Sequence, residues 1–555
     1  MKSQASLLKN PIFPGFNPDP CICKREDDYY VAVSSFEWFP GVPVYHSRDL
    51  KNWRLLTHCL QDQQVLDLRR LPSGKGIWAP SLSWCEKDAL FYLAYSIMNS
   101  HNARFFDVDN FLITAPEITG PWSEPVYLHS AGFDPSFFHD DDGRKWLSCL
   151  EWEFRKGYEH PGGICLAEYD VSAKKIIGLP KRIWSGGTDR GCMEGPLIFK
   201  RNSMYYIICA EGGTGYGHSV TMGRSDNIWG PYESDPCNPI LTSTAIDFNE
   251  RGVDAFLKPH YYNPKSTLQK SGHGSIVETP LGEVYMVHHC GRPFTPELRC
   301  TLGRETAIQK MEWTTDGWLR LAGGGNLAKE YVEPSGLPEE KFIKEDDDKA
   351  FKEGRIPLGW YAPRIPPESF ASVNARKGFL RLRGQESLSS LNNVSLLARK
   401  LTSVQMQASV KMEFCPEVYQ HYAGLTMYYD NMNYILLRKY WSDSLNSSAL
   451  GVLRVKNGEK TEDIDSKIQL CDDAPVWLRL TVQNRKSAFW WSCDGAAFTQ
   501  IGQIFDTSEF SDEFSKFGEA TGSFAGLFCA DSMYHRQYAD FERFHMESED
   551  RSNPY

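Results

Sequence analysis

A short motif that leads into a pair of strands recurs five times, and this repetition constrains the fold more than any other feature. The first copy, Phe16-Asn17-Pro18-Asp19-Pro20, precedes a short strand pattern, a charged turn and the aromatic and β-branched run 29–35, as is typical of a β-hairpin. Similar patterns begin at four later points, and the anchor residues of the five copies are Asp19, Ala79, Asp134, Glu194 and His273. Neighbouring anchors are 55 to 79 residues apart, enough for one four-stranded sheet with its loops.

Five such units predict an all-β architecture, a five-bladed β-propeller. Because the blades of a propeller pack radially, the first residues of the innermost strands meet at one end of a central channel. Asp19, Asp134 and Glu194 would converge there. A single Asp-Pro pair is more often a simple turn, since Asp bonds nearby backbone and Pro fixes φ. Three acids at matching positions of the repeat favour a functional site instead.

A second kind of pattern follows the repeats. The propeller pattern ends after the glycine-rich segment 322–325, and Pro334 and Pro338 come next. From about residue 340 the chain shows short alternating strands, which is typical of a β-sandwich. The predicted strands are 379–382, 404–414, 423–429, 434–438, 476–482, 489–492 and 523–529. We therefore expect a propeller domain over residues 1–330 and a sandwich domain over residues 340–547.

Composition excludes several other classes of protein. The 71 acidic and 60 basic residues give a net charge of −11, which argues against nucleic-acid binding and fits a small, neutral substrate. No apolar run is long enough to cross a bilayer and residues 1–10 contain no apolar signal core, so we expect a cytoplasmic protein without a membrane partner. The fifteen cysteines lack C-x-x-C spacing, which predicts reduced thiols rather than disulfides or a zinc site. No cofactor is indicated, and self-association into a homo-oligomer stays open.

Six stretches, in order along the chain, resemble motifs of glycoside hydrolase family 43, and more closely those of its β-xylosidase branch. The stretches are Asn17-Pro18-Asp19-Pro20, Gly76-Ile77-Trp78-Ala79-Pro80, Phe133-Asp134-Pro135-Ser136, Met193-Glu194-Gly195-Pro196, Gly272-His273-Gly274-Ser275 and Leu302-Gly303-Arg304-Glu305-Thr306-Ala307. The resemblance covers essentially the whole chain and implies a five-bladed propeller followed by a lectin-like, concanavalin-type sandwich. It also implies that Asp19 is the general base, that Glu194 is the general acid, and that Asp134 tunes and orients Glu194.

The chemistry of inverting glycoside hydrolysis explains why such acids are needed. One protonated carboxyl donates to the leaving oxygen, while an ionised carboxylate about 6.5–9.5 Å away deprotonates a water on the opposite face of the sugar. A neighbouring carboxylate such as Asp134 would favour the protonated form of Glu194 through like-charge repulsion, while Asp19 stays ionised in a more polar setting. Two carboxyls could then hold opposite protonation states at one pH.

Arg304 and His273 are further site candidates by the same resemblance. Arg304 would hold sugar hydroxyls with its rigid set of donors, although a structural ion pair with a residue such as Glu305 is the alternative. His273 would either orient a carboxylate or be an ordinary core histidine. The pair His288-His289 alternates faces on its strand, so only one of the two can point at a common ion, and no metal site is predicted.

Aromatic residues complete the expected pocket. Phe36, Trp78 and Trp152 would form its walls, because aromatic faces suit the C–H faces of a pyranose. The alternative for each of them is a place in the core, where most aromatics of the chain are expected. Phe524 resembles the residue that this branch of the family sends from the sandwich into the pocket. Such a plug implies a dead-end pocket and exo-cleavage of terminal xylose from β-1,4-xylooligosaccharides, with α-L-arabinofuranosidase as a side activity or as the main one.

Two other functions are compatible with a five-bladed β-propeller. A retaining fructosidase-type enzyme also uses two Asp and one Glu, but such enzymes carry Asn-Asp-Pro-Asn-Gly where this chain has Asn17-Pro18-Asp19-Pro20-Cys21. A non-catalytic sugar-binding protein of the same architecture would be marked by the loss of one acid. All three acids are present, so the sequence favours an enzyme.

Overall fold

The computed structural model describes residues 7–102, 105–155, 162–244, 261–343, 347–464, 466–471, 473–516 and 521–548. Strands account for nearly all regular structure in these ranges. The α-helix that they contain is Asp347–Lys352, and two 3₁₀ turns cover Pro367–Ser369 and Thr507–Glu509. None of the described helices has the length and apolar composition that a bilayer crossing requires.

Five antiparallel sheets, each built from consecutive strands, form the first part of the chain. Blade one contains Cys21–Arg25, Asp28–Ala32, Gly41–Ser47 and Arg54–Leu60; blade two Gly76–Cys85, Leu90–Asn102, Phe105–Ala115 and Val126–His129; blade three Ser136–His139, Lys145–Leu150, Ile164–Asp170 and Lys175–Trp184; blade four Glu194–Arg201, Met204–Glu211, Ser219–Ser225 and Glu233–Ser234, with Leu241–Thr242 beside its third strand; and blade five Gln269–Glu278, Val284–Gly291, Glu305–Trp313 and Leu319–Leu321. The predicted five-bladed propeller is confirmed.

The innermost strands of all five blades meet around a small cavity on the channel axis. One residue per blade at this end has a positive φ, and these are Asp19 (54°), Ala79 (37°), Asp134 (56°), Gly195 (57°) and His273 (52°). The last four line the cavity, and Asp19 lies next to its lining residue Pro20. The equivalent position of blade four is therefore Gly195 rather than the predicted anchor Glu194. Glu194 precedes the turn by one residue, so its backbone is not constrained as those of Asp19 and Asp134 are.

The ring of blades is closed by the segment that precedes blade one. Leu8–Lys9 pairs with Tyr331–Val332, beyond the last strand of blade five. The side-chain amide of Asn10 donates to the carbonyl of Ile308, 2.7 Å away in the third strand of that blade. The first described residues thus bind the last blade through backbone and side-chain hydrogen bonds.

Two packed sheets form the second part of the chain. The first contains Ala371–Ser372, Leu380–Arg383, Tyr538–Ser548, Gln405–Glu413, Val476–Gln483, Lys486–Ser492 and Thr499–Asp506; the second contains Leu396–Lys400, Phe524–Asp531, His421–Asp430, Asn433–Ser442, Ser447–Lys456 and Glu459–Glu462, with Ile468–Gln469 at its side. Alternate side chains of both sheets, such as Leu425 and Leu478, are fully buried in a shared apolar core. The predicted lectin-like sandwich is confirmed.

The sandwich packs against the propeller at the end of the channel where the inner strands begin. Strand Ala362–Pro363 pairs with Trp38–Phe39 of the propeller. A Cβ added to Gly303, whose φ is +78°, would lie 2.3 Å from the carbonyl of Thr521. Lys270 Nζ of blade five lies 2.6 Å from Glu513 Oε1, and both side chains are buried. Backbone contact and a buried ion pair therefore hold the two parts together.

Candidate active site

Asp19 lies at the centre of a buried hydrogen-bond network. Ser34 Oγ donates to its Oδ2 at 2.7 Å, and Arg304 Nη1 donates to its Oδ1 at 2.9 Å. His289 Nδ1 and His273 Nδ1 lie 3.3 and 3.6 Å from the same Oδ1. Burial by itself raises the pKa of Asp19, but the adjacent Arg304 guanidinium and the histidines outweigh it and hold the pKa well below its ordinary value. Asp19 is therefore ionised.

Asp134 has the opposite environment. Burial, together with the charge of Asp19, raises its pKa to about 8, although a hydrogen bond from the backbone amide of Gly195 to Oδ2, 2.9 Å long, opposes the shift. Asp134 is thus protonated at neutral pH in this structure. The predicted repulsion of Glu194 by an ionised Asp134 would require Asp134 to lose this proton. Asp134 instead binds the residue next to Glu194, the first residue of the inner strand of blade four.

His273 connects the turn of blade four to Asp19. The positive φ of Gly195 and the position of its Cα leave no room for a side chain, because a Cβ would lie 2.8 Å from His273 Nε2. The other ring nitrogen of His273 faces Asp19. His289, the other histidine beside Asp19, stacks on His218 with ring centroids 4.3 Å apart. Burial lowers the pKa of His273 and lowers that of His289 to about 3, which favours neutral rings.

Arg304 lies in the site, as the family resemblance implied, and there it forms an ion pair with one of the acids. Its guanidinium binds Asp19, while Glu305 pairs with Arg292 at 2.7 Å. Arg304 therefore forms an ion pair, as the alternative expected, but with Asp19 and not with Glu305. Within the described residues, Arg304 Nε has no hydrogen-bond partner, which leaves a donor for a sugar hydroxyl. His289 and Ser34 were not predicted as site residues; the pair His288-His289 was considered only as a possible metal site.

Aromatic rings form a continuous wall beside the acids. Arg304 Cζ lies 5.5 Å from the ring centroid of Phe36, and Phe36 is followed by Trp78 at 6.0 Å. Trp78 makes an edge contact with Phe133 at 5.7 Å. Phe133 in turn lies 6.0 Å from Trp152. The structure therefore brings the three predicted wall residues Phe36, Trp78 and Trp152 together on one side of the channel mouth.

Phe524 does not enter the pocket. Its ring has no exposed surface and stacks on Trp38 with centroids 3.7 Å apart. It begins a strand that is hydrogen-bonded on both sides, to Lys400 and to Tyr428, which fixes its side chain in the layer between sandwich and propeller. The expectation of a plug is therefore wrong in its position: Phe524 supports the pocket wall from behind, through Phe16, which touches Phe36 at 5.2 Å.

Lys400 is a residue of the sandwich that contacts the motif around Asp19. Lys400 Nζ donates to Asn17 Oδ1 at 2.8 Å, and the Tyr45 hydroxyl donates to the same oxygen at 2.7 Å. The backbone amide of Asn17 donates to the carbonyl of Arg304. Asn17, two residues before Asp19, is therefore fixed from both domains. Across the part of the chain that the structure describes, no three His, Cys, Asp or Glu groups are arranged to hold a metal ion.

Comparison with known proteins agrees with this site. A model of the glycosyl hydrolases family 43 matches residues 8–319, and a model of the beta xylosidase C-terminal concanavalin A-like domain matches residues 348–547. The chain is 39% identical over 548 residues to xylosidase/arabinosidase 43B of Humicola insolens, with 97% of both chains covered. It is 37% identical over 551 residues to a beta-xylosidase of Bacillus subtilis, covering 97% of this chain and 99% of that protein.

A solved structure shows the same likeness in three dimensions. The crystal structure of xylan beta-1,4-xylosidase from Bacillus halodurans C-125 has a TM-score of 0.91 and 42% sequence identity to this chain, and the match covers 98% of this chain and 100% of that one. The match spans the propeller and the sandwich together. With the family model matched over more than half of its length, the chain belongs to glycoside hydrolase family 43 and is a glycoside hydrolase.

Proposed function

We infer that this enzyme removes terminal xylose from the non-reducing end of β-1,4-xylooligosaccharides with inversion at the anomeric carbon. Asp19 is the general base and Glu194 the general acid. Asp134 positions Glu194, and Arg304 binds sugar hydroxyls between the acids and Phe36. The observation that carries this assignment is the pairing of Asp19 with Arg304, beside an Asp134 that binds the backbone adjoining Glu194.

The protonation states support these roles. Arg304 and the surrounding histidines keep Asp19 ionised, as a base that accepts a proton from water must be. When Arg304 turns part of its donor set to a sugar hydroxyl, Asp19 loses some of this stabilisation and becomes a stronger base. Asp134, protonated in the free enzyme, holds Glu194 through the Gly195 amide. Water attacks from the side of Asp19 while Glu194 protonates the departing oxygen.

Xylose is the substrate that the relatives favour, since the similar proteins named above include enzymes described as β-xylosidases. The relative described as a xylosidase/arabinosidase keeps α-L-arabinofuranoside as the second candidate substrate. Exo-action is supported by the sandwich, which covers the channel mouth beside Asn17 and Gly303 and so closes one side of the pocket. A chain end enters such a pocket more readily than the middle of a polymer does.

The domain limits and the cellular location belong to the same proposal. A propeller domain over residues 1–330 and a sandwich domain over residues 340–547 agree with the two family-model matches. In the described structure none of the fifteen cysteines forms a disulfide, which supports a reducing compartment, the cytoplasm. Short oligosaccharides taken up by the cell are the substrates that suit this location.

The acid and base roles are tested by leaving-group acidity. Asp19→Ala removes the group that activates water, so hydrolysis of every substrate should fall. Glu194→Ala removes proton donation, which typically contributes about 10²–10⁴-fold and which a nitrophenolate scarcely needs. Glu194→Ala should therefore spare nitrophenyl β-xyloside far more than xylobiose. Glu194→Gln, which keeps the shape of the side chain, is the matched control and should behave as Glu194→Ala does.

Two further outcomes decide between the candidates. Equal losses of the Asp19 and Glu194 variants on both substrates would contradict the assigned roles. NMR of the first turnovers on xylobiose should show α-xylose released from the cleaved unit, and initial β-xylose would refute inversion. A ratio of kcat/KM that favours nitrophenyl α-L-arabinofuranoside over the β-xyloside would make arabinofuranosidase the main activity.

A further inference from the structure

One hairpin of blade two extends beyond the end of the channel. The inner strand of the blade begins at Gly76, opposite Met98, whereas the two following strands remain paired as far as Asn102 and Phe105. The extra four residues reach about 13 Å past Gly76 at 3.3 Å per residue. The hairpin therefore projects above the rim on the side of Trp78.

The aromatic wall of the pocket continues along this projection. Trp78 contacts Phe106 of the hairpin with ring centroids 6.5 Å apart, and Phe106 packs on Trp152 at 4.0 Å. Beyond them, Phe105 and Phe154 pair at 5.1 Å. Both outer rings are 52% exposed, unlike the buried or half-buried rings nearer the acids. The exposed pair is thus next to the pocket wall along the chain, because Phe105 precedes Phe106 and Phe154 follows Trp152 by two residues.

Exposure of a phenylalanine ring to water is unfavourable, because the ring is apolar and forms no strong hydrogen bonds. A pair of exposed rings at a substrate entrance therefore indicates a ligand with apolar faces. A xylopyranose unit presents C–H bonds on its ring faces and hydroxyls at its edge. An oligosaccharide whose terminal unit lies beside Asp19 and Glu194 must send its remaining units out through the mouth, where the hairpin projects. The occupant is therefore the reducing-end portion of the same substrate chain.

We propose that Phe105 and Phe154 form a distal subsite that binds the third and later units of xylooligosaccharides. This proposal rests on the proposed xylosidase function and adds to it a preference for longer chains. A sugar that stacks on these rings removes apolar surface of both partners from water, which favours binding. One or two such contacts predict a roughly threefold to tenfold gain in kcat/KM for xylotriose and xylotetraose that xylobiose does not share.

The test compares chain lengths in the full-length enzyme. The double variant Phe105→Ala, Phe154→Ala should lose this threefold to tenfold advantage on xylotetraose, while kcat/KM for xylobiose and for nitrophenyl xyloside stays unchanged. Phe154→Tyr keeps a ring and should retain the advantage. Tyr534→Ala removes a ring of the sandwich that is 70% exposed and should leave kcat/KM unchanged for all three substrates.

Two results would overturn the subsite. An unchanged ratio of xylotetraose to xylobiose in the double variant would show that the pair binds no sugar. An equal loss on all substrates would show that the rings only support the hairpin. Failure of the proposed function itself is seen separately, in wild-type enzyme that does not hydrolyse nitrophenyl xyloside, and it would remove the substrate on which the subsite depends.

Discussion

Replacing Lys400 with Met should make the stability of the protein respond differently to pH. The side chain of Lys400 extends from the end of its strand into a mostly apolar space between the rings of Phe16 and Tyr361. Its ammonium group donates a hydrogen bond to Asn17. Burial lowers its pKa from the ordinary 10.5 to about 7. Tyr361 and His58 are titratable neighbours: burial raises the pKa of Tyr361, while burial and the charge of Lys400 lower the pKa of His58 to about 3.

The sign of the effect follows from proton binding. Between pH 7 and 10.5 the unfolded chain keeps a proton on Lys400 that the folded protein has lost, so the wild type becomes more stable as pH rises. The slope is about 1.4 kcal/mol for each pH unit, or about 5 kcal/mol over the whole window. Lys400→Met has no such proton, and it also loses a hydrogen bond of about 1–3 kcal/mol.

The assay is the thermal midpoint of both proteins at pH values from 6 to 10. For a domain of the size of the sandwich, a stability change of 1 kcal/mol shifts the thermal midpoint by about 2–4 °C. The difference between the midpoints of wild type and variant should therefore grow in favour of the wild type by about 3–6 °C for each pH unit above 7. Lys411→Met is the matched control, because Lys411 pairs with Glu542 at 2.8 Å in the same domain. A gap between wild type and Lys400→Met that stays constant from pH 7 to 10 would refute the reasoning.

Three further substitutions test the site and its support. Asp134→Asn should stabilise the protein at pH 7 but not at pH 4, by about 1.4 kcal/mol for each pH unit between them, because the folded wild type keeps a proton that the unfolded chain releases; equal thermal gains at both pH values would contradict the raised pKa of about 8. Gly195→Ala should lower kcat about 100-fold by displacing His273, whereas Gly178→Ala, at φ +72° in open space, should leave kcat unchanged. Phe524→Ala should cost about 3–5 kcal/mol of stability in denaturant titrations, and a cost below 1 kcal/mol would mean that the domain interface is loose.

Local sequence patterns were sufficient for the blades. Each predicted hairpin has a turn flanked by apolar alternation, and the observed pair Lys145–Leu150 and Ile164–Asp170 shows how such runs continue into a complete sheet. The register of blade four was missed because the motifs were aligned on the acid. The residue before proline carries the turn, and aligning Asp19-Pro20 with Gly195-Pro196 would have placed Glu194 one residue earlier.

Contacts between distant segments could not be predicted in the same way. His289 lies 270 residues from Asp19 in the chain, and their contact depends on how blade five meets blade one. Strand alternation shows that His288 and His289 face opposite sides of their strand, but not which of them faces Asp19. The positions of Phe524 and Lys400 depend on the docking of sandwich to propeller, which no local periodicity encodes.

The closure of the ring by residues 8–13 has a consequence for synthesis on the ribosome. Each blade is a continuous stretch of chain and can pair its strands as soon as it emerges. Asn10, however, cannot meet Ile308 until 298 further residues have been made. The first described residues therefore cannot form these hydrogen bonds until nearly the whole propeller has been synthesised. Asp19 likewise cannot contact His289 and Arg304 before blade five has been made. Catalytic competence would arise late and in one step, when the newest blade reaches the oldest segment.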